Sequence, residues 1–367
     1  MEHLRRPFWF MAGFAVMVGG VALRITGEQP FGNFQAQVSA LEFTDSYTLP
    51  PKPHTLLFVG DIMLSRGVAN VMEREGDVFY PFRLVADEIR SADFAFGNLE
   101  NPISNRGKNQ GSIYSFRADP QVVHALAFAG FDALSVANNH IWDWGREALE
   151  DTIELLTINN IQGVGAGMNY ADANEPKFFT LPGGTTLALF AYTNLLPRSL
   201  EATETTSGLS HFDIDLIADR IRALSTTAVL KHSGGEANVI IVSLHWGEEY
   251  SPTPSVDERE IAHALVDAGA DLVIGHHPHV VQEVAAYKVG ARSDSDTRRE
   301  PRPAEAGRER TAYVAYSLGN FIFDQNFSRT TTEGLMLKVF VDDKQISSVQ
   351  KIPLKINETF QPYAIGS

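Results

Sequence analysis

Three histidines within four positions, His276, His277 and His279, close the short apolar run Leu272-Val273-Ile274-Gly275. Neutral imidazole is the commonest protein ligand for transition metals. A buried strand that empties into a loop places such side chains at its carboxyl end, where open α/β sheets hold their ligands. Pro278 favours an extended His277, which lets His277 and His279 converge instead of winding into a helix. Taken alone, the segment also fits a solvated histidine-rich loop.

Its company favours chemistry. Residues 56–60 lead into Asp61, and 94–97 into Asn98-Leu99-Glu100. Residues 133–137 lead into Asn138-Asn139-His140, 239–244 into His245-Trp246-Gly247, and 312–318 into Gly319-Asn320-Phe321. Apolar runs of this length read as strands buried on both faces. Each ends at a carboxylate, an amide or an imidazole, often beside glycine, so the set reads as one site assembled from several strand ends.

The elements that must position such a site follow from the alternation of these runs with amphipathic stretches. Residues 84–90, 120–129, 147–158, 213–230 and 256–268 read as helices. Residues 185–192 add a strand, and 334–341 with 345–354 read as an antiparallel pair. Strand–helix alternation predicts an α/β sheet covered on both faces, and the C-terminal antiparallel pair makes it a mixed sheet system. Residues 290–310 are rich in Arg, Glu, Asp and Pro and offer almost nothing to bury, so they read as a flexible insert.

Composition narrows the function. A net charge of −15 over 367 residues argues against nucleic acid as the main partner. The absence of cysteine removes disulfides, thiolate metal sites and a cysteine nucleophile. Arg5-Arg6 precede an apolar stretch over residues 7–23, near the lower length limit for a spanning helix. Residues 1–26 therefore read as a single-pass membrane anchor with the main domain extracytoplasmic, a cleaved signal segment being the rival reading. Residues 27–54 read as a proline-containing tether, and 55–360 as the main domain.

In order, Gly60-Asp61-Ile62-Met63-Leu64, Asn98-Leu99-Glu100, Asn139-His140 with Asp143 and Gly145, His245-Trp246-Gly247 with Tyr250, Gly275-His276-His277-Pro278-His279 with Gln282, and Ser317-Leu318-Gly319-Asn320-Phe321 resemble the CapA family of capsule-synthesis proteins, associated with poly-γ-glutamate. The resemblance covers about residues 55–325. It implies a four-layer α/β/β/α sandwich similar to the calcineurin-like metallophosphoesterases, the metallo-dependent phosphatase fold, with the membrane helix in front. It also implies one or two divalent ions, Mn, Zn or Fe, held by Asp61, Glu100, Asn139, His245, His277 and His279, with Asp61 bridging. His140 is implied to face the leaving group or developing negative charge.

Around that set, Asp143 can orient His140 by a hydrogen bond or cap the following helix. Arg66 can offer charge to an anion or sit in a surface ion pair. His276 reads as a residue behind the ligands, and Trp246 and Tyr250 as pocket wall or packing. The phosphoesterases carry a histidine two residues after the first aspartate; here Met63 stands there, a poor ligand for a hard metal. Two functions follow as expectations. One is a membrane-tethered, metal-dependent hydrolase acting on a phosphoester or an anionic polymer. The other is a non-catalytic, polymer-binding component of a capsule or polyglutamate synthase and export complex.

Overall fold

The computed structural model describes residues 52–225, 237–289 and 310–366. The chain runs through β1 (His54–Ile62), α1 (Arg66–Glu75), α2 (Ala86–Arg90), β2 (Phe94–Leu99), α3 (Val122–Ala129), β3 (Ala133–Ser135), α4 (Arg146–Ile158) and β4 (Gln162–Val164). It continues through β5 (Ala166–Gly167), α5 (Tyr170–Asn174), β6 (Lys177–Thr180), β7 (Thr186–Thr193), β8 (Gly208–Leu209), α6 (Ile214–Ser225), β9 (Val239–His245) and α7 (Val256–Ala268). It closes with β10 (Leu272–His276), β11 (Val284–Val289), β12 (Arg310–Ala315), β13 (Asn320–Ile322), β14 (Glu333–Asp342), β15 (Gln345–Ile356) and β16 (Pro362–Ala364).

Two sheets result. One has the order β16-β15-β14-β1-β2-β3-β4, with β13 also paired to β1; the other has the order β11-β12-β10-β9-β7-β6. The runs β1-β2-β3-β4 and β7-β9-β10-β12 are parallel; antiparallel strands flank the second on both sides and the first only beyond β1, with β4 at the sheet edge. The period of two along each strand assigns its faces. Leu56 and Phe58 of β1 join Leu187, Leu189, Ile241, Leu272 and Ile274 in a core shared by both sheets. Leu57 and Val59 turn the other way, into a core with Val68, Ile89, Leu126 and Leu149 of α1 to α4. On the second sheet, Ile240, Val242 and Val273 face away from the shared core and pack with Ile217, Ile221 and Leu265 of α6 and α7. The layers are therefore helices, sheet, sheet, helices. Double-sided burial explains why these strands are continuously apolar rather than alternating.

The helix expected over 84–90 begins later, at Ala86, and α1 over Arg66–Glu75 was not expected at all. Helix α1 mixes charged residues with only Val68, Val71 and Met72 buried, a thin stripe that is hard to see in sequence. His54, read as the end of the tether, is the first residue of β1, and the fold continues past residue 360 into β16. The proposed anchor, nearly all of the tether, the end of the helix expected over 213–230 and residues 290–309 of the insert lie outside the described residues. Among the described residues, no helix is long and apolar enough to cross a membrane.

Candidate metal centre

Strand register builds the centre. Asp61 of β1 pairs with Asn98 of β2 and with Asn320 of β13. In the other sheet, His245 at the end of β9 pairs with His276 at the end of β10. The two rows meet across the sandwich: Asp61 Oδ1 is 3.3 Å from His276 Nδ1, and Oδ2 is 3.4 Å from His279 Nδ1. Glycines near the ends of β1 and β10 are required by close approach. A Cβ on Gly60 would lie 1.9 Å from the Gly319 carbonyl oxygen, and one on Gly275 would lie 1.8 Å from that of Tyr316. Only glycine lets the 316–319 segment run against both strand ends.

The six expected donors come together here. Glu100, His245 and His277 form one group, and Asp61, Glu100 and His279 another; within each, the ligand atoms lie within 4.8 Å of one another. Asn139 joins through Oδ1, 2.8 Å from His245 Nε2. Glu100 belongs to both of these groups and Asp61 to one. Asp61 Oδ1 accepts from Asn98 Nδ2 at 2.9 Å, and Oδ2 accepts from the His277 backbone N–H at 3.3 Å. Glu100 Oε1 is buried without a hydrogen-bond partner, between His279 Nε2 at 3.7 Å and His245 Nε2 at 4.0 Å.

A divalent cation fits this set. His277 Nδ1 is a second buried atom without a partner, and burying such groups unsatisfied is costly. Donors that are oxygen and imidazole nitrogen, without sulfur, suit Mn²⁺, Zn²⁺ or Fe. Burial pushes Glu100 well above the usual carboxylate range, and neighbouring Asp61 adds to the shift. Burial opposes ionisation of Asp61 too, yet His276 and His279 hold its carboxyl well below the usual range. Burial, and then His277, depresses His245 strongly; burial and His279 bring His277 down to about 4. His245 and His277 are thus held neutral, the state in which imidazole ligates, and Glu100 carries the charge penalty that a cation would remove.

Around the donors, amides fix orientations. His279 Nδ1 is 3.0 Å from Asn320 Oδ1, which leaves Nε2 turned toward Glu100. The Asn320 amide is itself set by donation to the Thr331 carbonyl at 3.0 Å and to Gln325 Oε1 at 3.1 Å. Asn98 contacts Asp61, Glu100 and His245 and accepts from Asn138 Nδ2 at 3.1 Å. Neither Asn98 nor Asn320 had a role assigned from sequence; their positions as strand-terminal amides beside a ligand were the available signal. The backbone is strained at the ligands: φ is +98° at His277 and +58° at His279. His277 is therefore not in the extended conformation that Pro278 favours, and the cost is of the kind that clusters at functional sites.

His140 Nδ1 is 2.8 Å from Asp143 Oδ2, which also accepts the Phe116 backbone N–H at 2.8 Å. The residue preceding α4 is Gly145, without a side-chain cap, so Asp143 engages His140 and not the helix end. The His140 ring stacks on Phe116 with centroids 3.9 Å apart. The Arg66 guanidinium lies 4.5 Å from the same Phe116 ring and pairs with Asp324, so its charge is already compensated. Met63 is fully buried in the helix-side core, and its sulfur accepts from the Ser65 backbone N–H at 3.2 Å and the Ser65 hydroxyl at 3.0 Å. His276 is buried with neither ring nitrogen in a hydrogen bond, although Nδ1 touches Asp61. Trp246 belongs to the core beneath α6 and α7, its indole N–H donating to the Tyr316 carbonyl at 3.0 Å, and so it packs and does not line the centre. Tyr250 is partly exposed, its ring centroid 6.1 Å from that of His279, beside a cleft of about 110 Å³ lined also by Pro252, Val280, Val281, Thr330 and Glu333.

Residues 55–325 match the family described as bacterial capsule synthesis protein PGA_cap. The chain is similar to the capsule biosynthesis protein CapA of Bacillus anthracis, 32% identical over 309 residues, covering 83% of this chain and 68% of that relative. It is also similar to the PGA biosynthesis protein CapA of Bacillus subtilis strain 168, 31% identical over 281 residues, covering 76% of this chain and 66% of the relative. The chain thus spans about two thirds of the length of these relatives. A crystal structure described as a novel phosphatase, from Mycoplasma pneumoniae, overlays with a TM-score of 0.44 at 13% identity, covering 83% of this chain and 94% of that one. With the family match spanning most of the fold, and with a relative above 30% identity over most of both chains, this chain belongs to the bacterial capsule synthesis (PGA_cap, CapA) family.

Proposed function

We propose that the protein is a metal-dependent hydrolase of capsule or poly-γ-glutamate synthesis, held at the cell membrane by residues 1–26 with its main domain extracytoplasmic. The observation that carries the catalytic part is the pair of buried, unpartnered ligand atoms, Glu100 Oε1 and His277 Nδ1, inside converging carboxylate and imidazole groups. One or two divalent ions bound by Asp61, Glu100, Asn139, His245, His277 and His279 would polarise a phosphoryl or acyl oxygen and acidify water. His140 is held by Asp143 through Nδ1, which leaves Nε2 to meet a leaving oxygen and give it a proton. The substrate is a phosphoester or an anionic polymer, and the partners are the membrane and a capsule synthase complex. Elemental analysis of the purified chain, followed by hydrolysis of an aryl phosphodiester, tests the reading. Metal-free protein after growth and refolding with Mn²⁺, Zn²⁺ or Fe²⁺ would end it.

A second reading is favoured by Met63. Its buried sulfur is engaged by Ser65 at the position where an imidazole was expected, so the centre has one donor fewer than the phosphoesterases. On this reading the centre recognises polymer without cleaving it, within an export complex. Metal present at full stoichiometry, with no hydrolysis of phosphoesters or γ-glutamyl polymers, would favour it.

A further inference from the structure

We propose that Glu249 is a metal ligand, closing the solvent side of the centre and supplying the donor that Met63 withholds. The inference rests on the metal-binding reading above. The Glu249 carboxylate forms a third group with His277 and His279, its ligand atoms within 4.8 Å of theirs and theirs of one another. His277 also belongs to the group of Glu100 and His245, and His279 to that of Asp61 and Glu100, so Glu249 reaches the imidazoles of both buried groups. Each buried group supplies three protein donors. Four is the usual count around zinc, and harder ions take more.

The placement is built. Glu249 lies on the turn that follows β9, and that turn is pinned to the histidine turn by the Tyr250 backbone N–H donating to the Pro278 carbonyl at 2.8 Å. Three residues of the two turns hold left-handed backbone, Tyr250 at φ +65°, His277 at +98° and His279 at +58°. Such conformations cost energy in non-glycine residues and persist where surrounding structure fixes them. His277 Nδ1 is buried without a hydrogen-bond partner, so this imidazole has a ring nitrogen free to take a ligand. The charge of Glu249 reaches the interior, since it is among the groups that push Glu100 upward. A carboxylate oxygen is also the harder donor, better matched to Mn²⁺ than the thioether two residues after Asp61.

The test is metal binding by the full chain, read without turnover. Mn²⁺ stoichiometry and affinity are measured by titration and elemental analysis for the unmodified chain and for Glu249→Gln, Glu249→Asp and His277→Ala. The visible absorption of the Co²⁺ form reports the ligand set. Glu249 is exposed, so Glu249→Gln should fold with an unchanged metal-free melting temperature. Expected are a loss of at least about tenfold in affinity for one ion, as for groups that tune metal sites, a changed Co²⁺ spectrum, and partial recovery of both in Glu249→Asp. Equal affinity, stoichiometry and Co²⁺ spectrum in Glu249→Gln, with His277→Ala impaired, would overturn the role of Glu249 and leave the metal centre standing. Absence of metal from the unmodified chain would overturn both.

Discussion

At the residue scale, the centre is a problem of charge placed where water cannot reach. Glu100 keeps its proton above the ordinary carboxylate range because burial and Asp61 disfavour a second buried negative charge. That proton must leave before Glu100 can ligate. Metal affinity should therefore rise with pH through the interval above the usual carboxylate range over which folded Glu100 stays protonated. His277, brought down to about 4, is already neutral there and adds no proton. Calorimetric titration in buffers of different ionisation enthalpy should show a proton released on binding, and Glu100→Gln should abolish the release. No buffer dependence in the unmodified chain would contradict this charge assignment. Asp143→Asn separates ligation from proton transfer. It removes the charge behind His140 but no donor, so metal content should stay unchanged while any phosphodiesterase turnover falls about 10- to 100-fold, the usual scale for lost orienting partners.

At the element scale, the site depends on strand ends packed closely enough for two sheets to share one set of ligands. Gly60→Ala and Gly275→Ala each force a methyl group into a backbone carbonyl, of Gly319 and Tyr316 respectively, and backbone cannot swing aside as a side chain can. Each should cost on the order of 1–3 kcal/mol or more, the scale of overpacking in a close-packed interior. Each should also reduce metal content, because the ligands Asp61 and His277 follow within two residues. Thermal unfolding and elemental analysis check both. As a comparison, Gly76→Ala, at the end of α1 where a Cβ would meet nothing within 4 Å, should leave metal content intact despite its left-handed φ of +63°.

At the scale of the whole molecule, the proposed membrane anchor makes a topology testable: Arg5-Arg6 before the apolar stretch over residues 7–23 predict that the main domain faces outward. Protease added to intact cells of the producing organism, after outer layers are made permeable, should digest the domain. Protection until lysis would refute the topology. Deleting residues 1–26 should leave a folded, metal-binding domain, because among the described residues β1 starts at His54 and three cores are built beyond it.

The sequence by itself determined the long apolar strands that carry the site, whereas the short or half-exposed strands β4, β5, β6, β8, β11, β13 and β16 left no such run. Double-sided burial demands unbroken apolar runs, and a run that stops at Asp61, Glu100, Asn139, His245 or His277 leaves its signature whatever the fold does next. It also determined the chemistry of the donors, through residue type alone. Tertiary structure decided what spacing cannot carry. Glu100 shares one ligand group with His245 and His277 and another with Asp61 and His279 only because the packing of the two sheets brings those side chains to it. Asn320 and Asn98 orient ligands only because register sets both beside Asp61. Arg66 is committed to Asp324, 258 positions away in sequence, and Glu249 meets His277 and His279 only because two turns are pinned together. Local patterns follow from burial along one segment, whereas a site shared by two sheets depends on distances between segments that only their packing fixes.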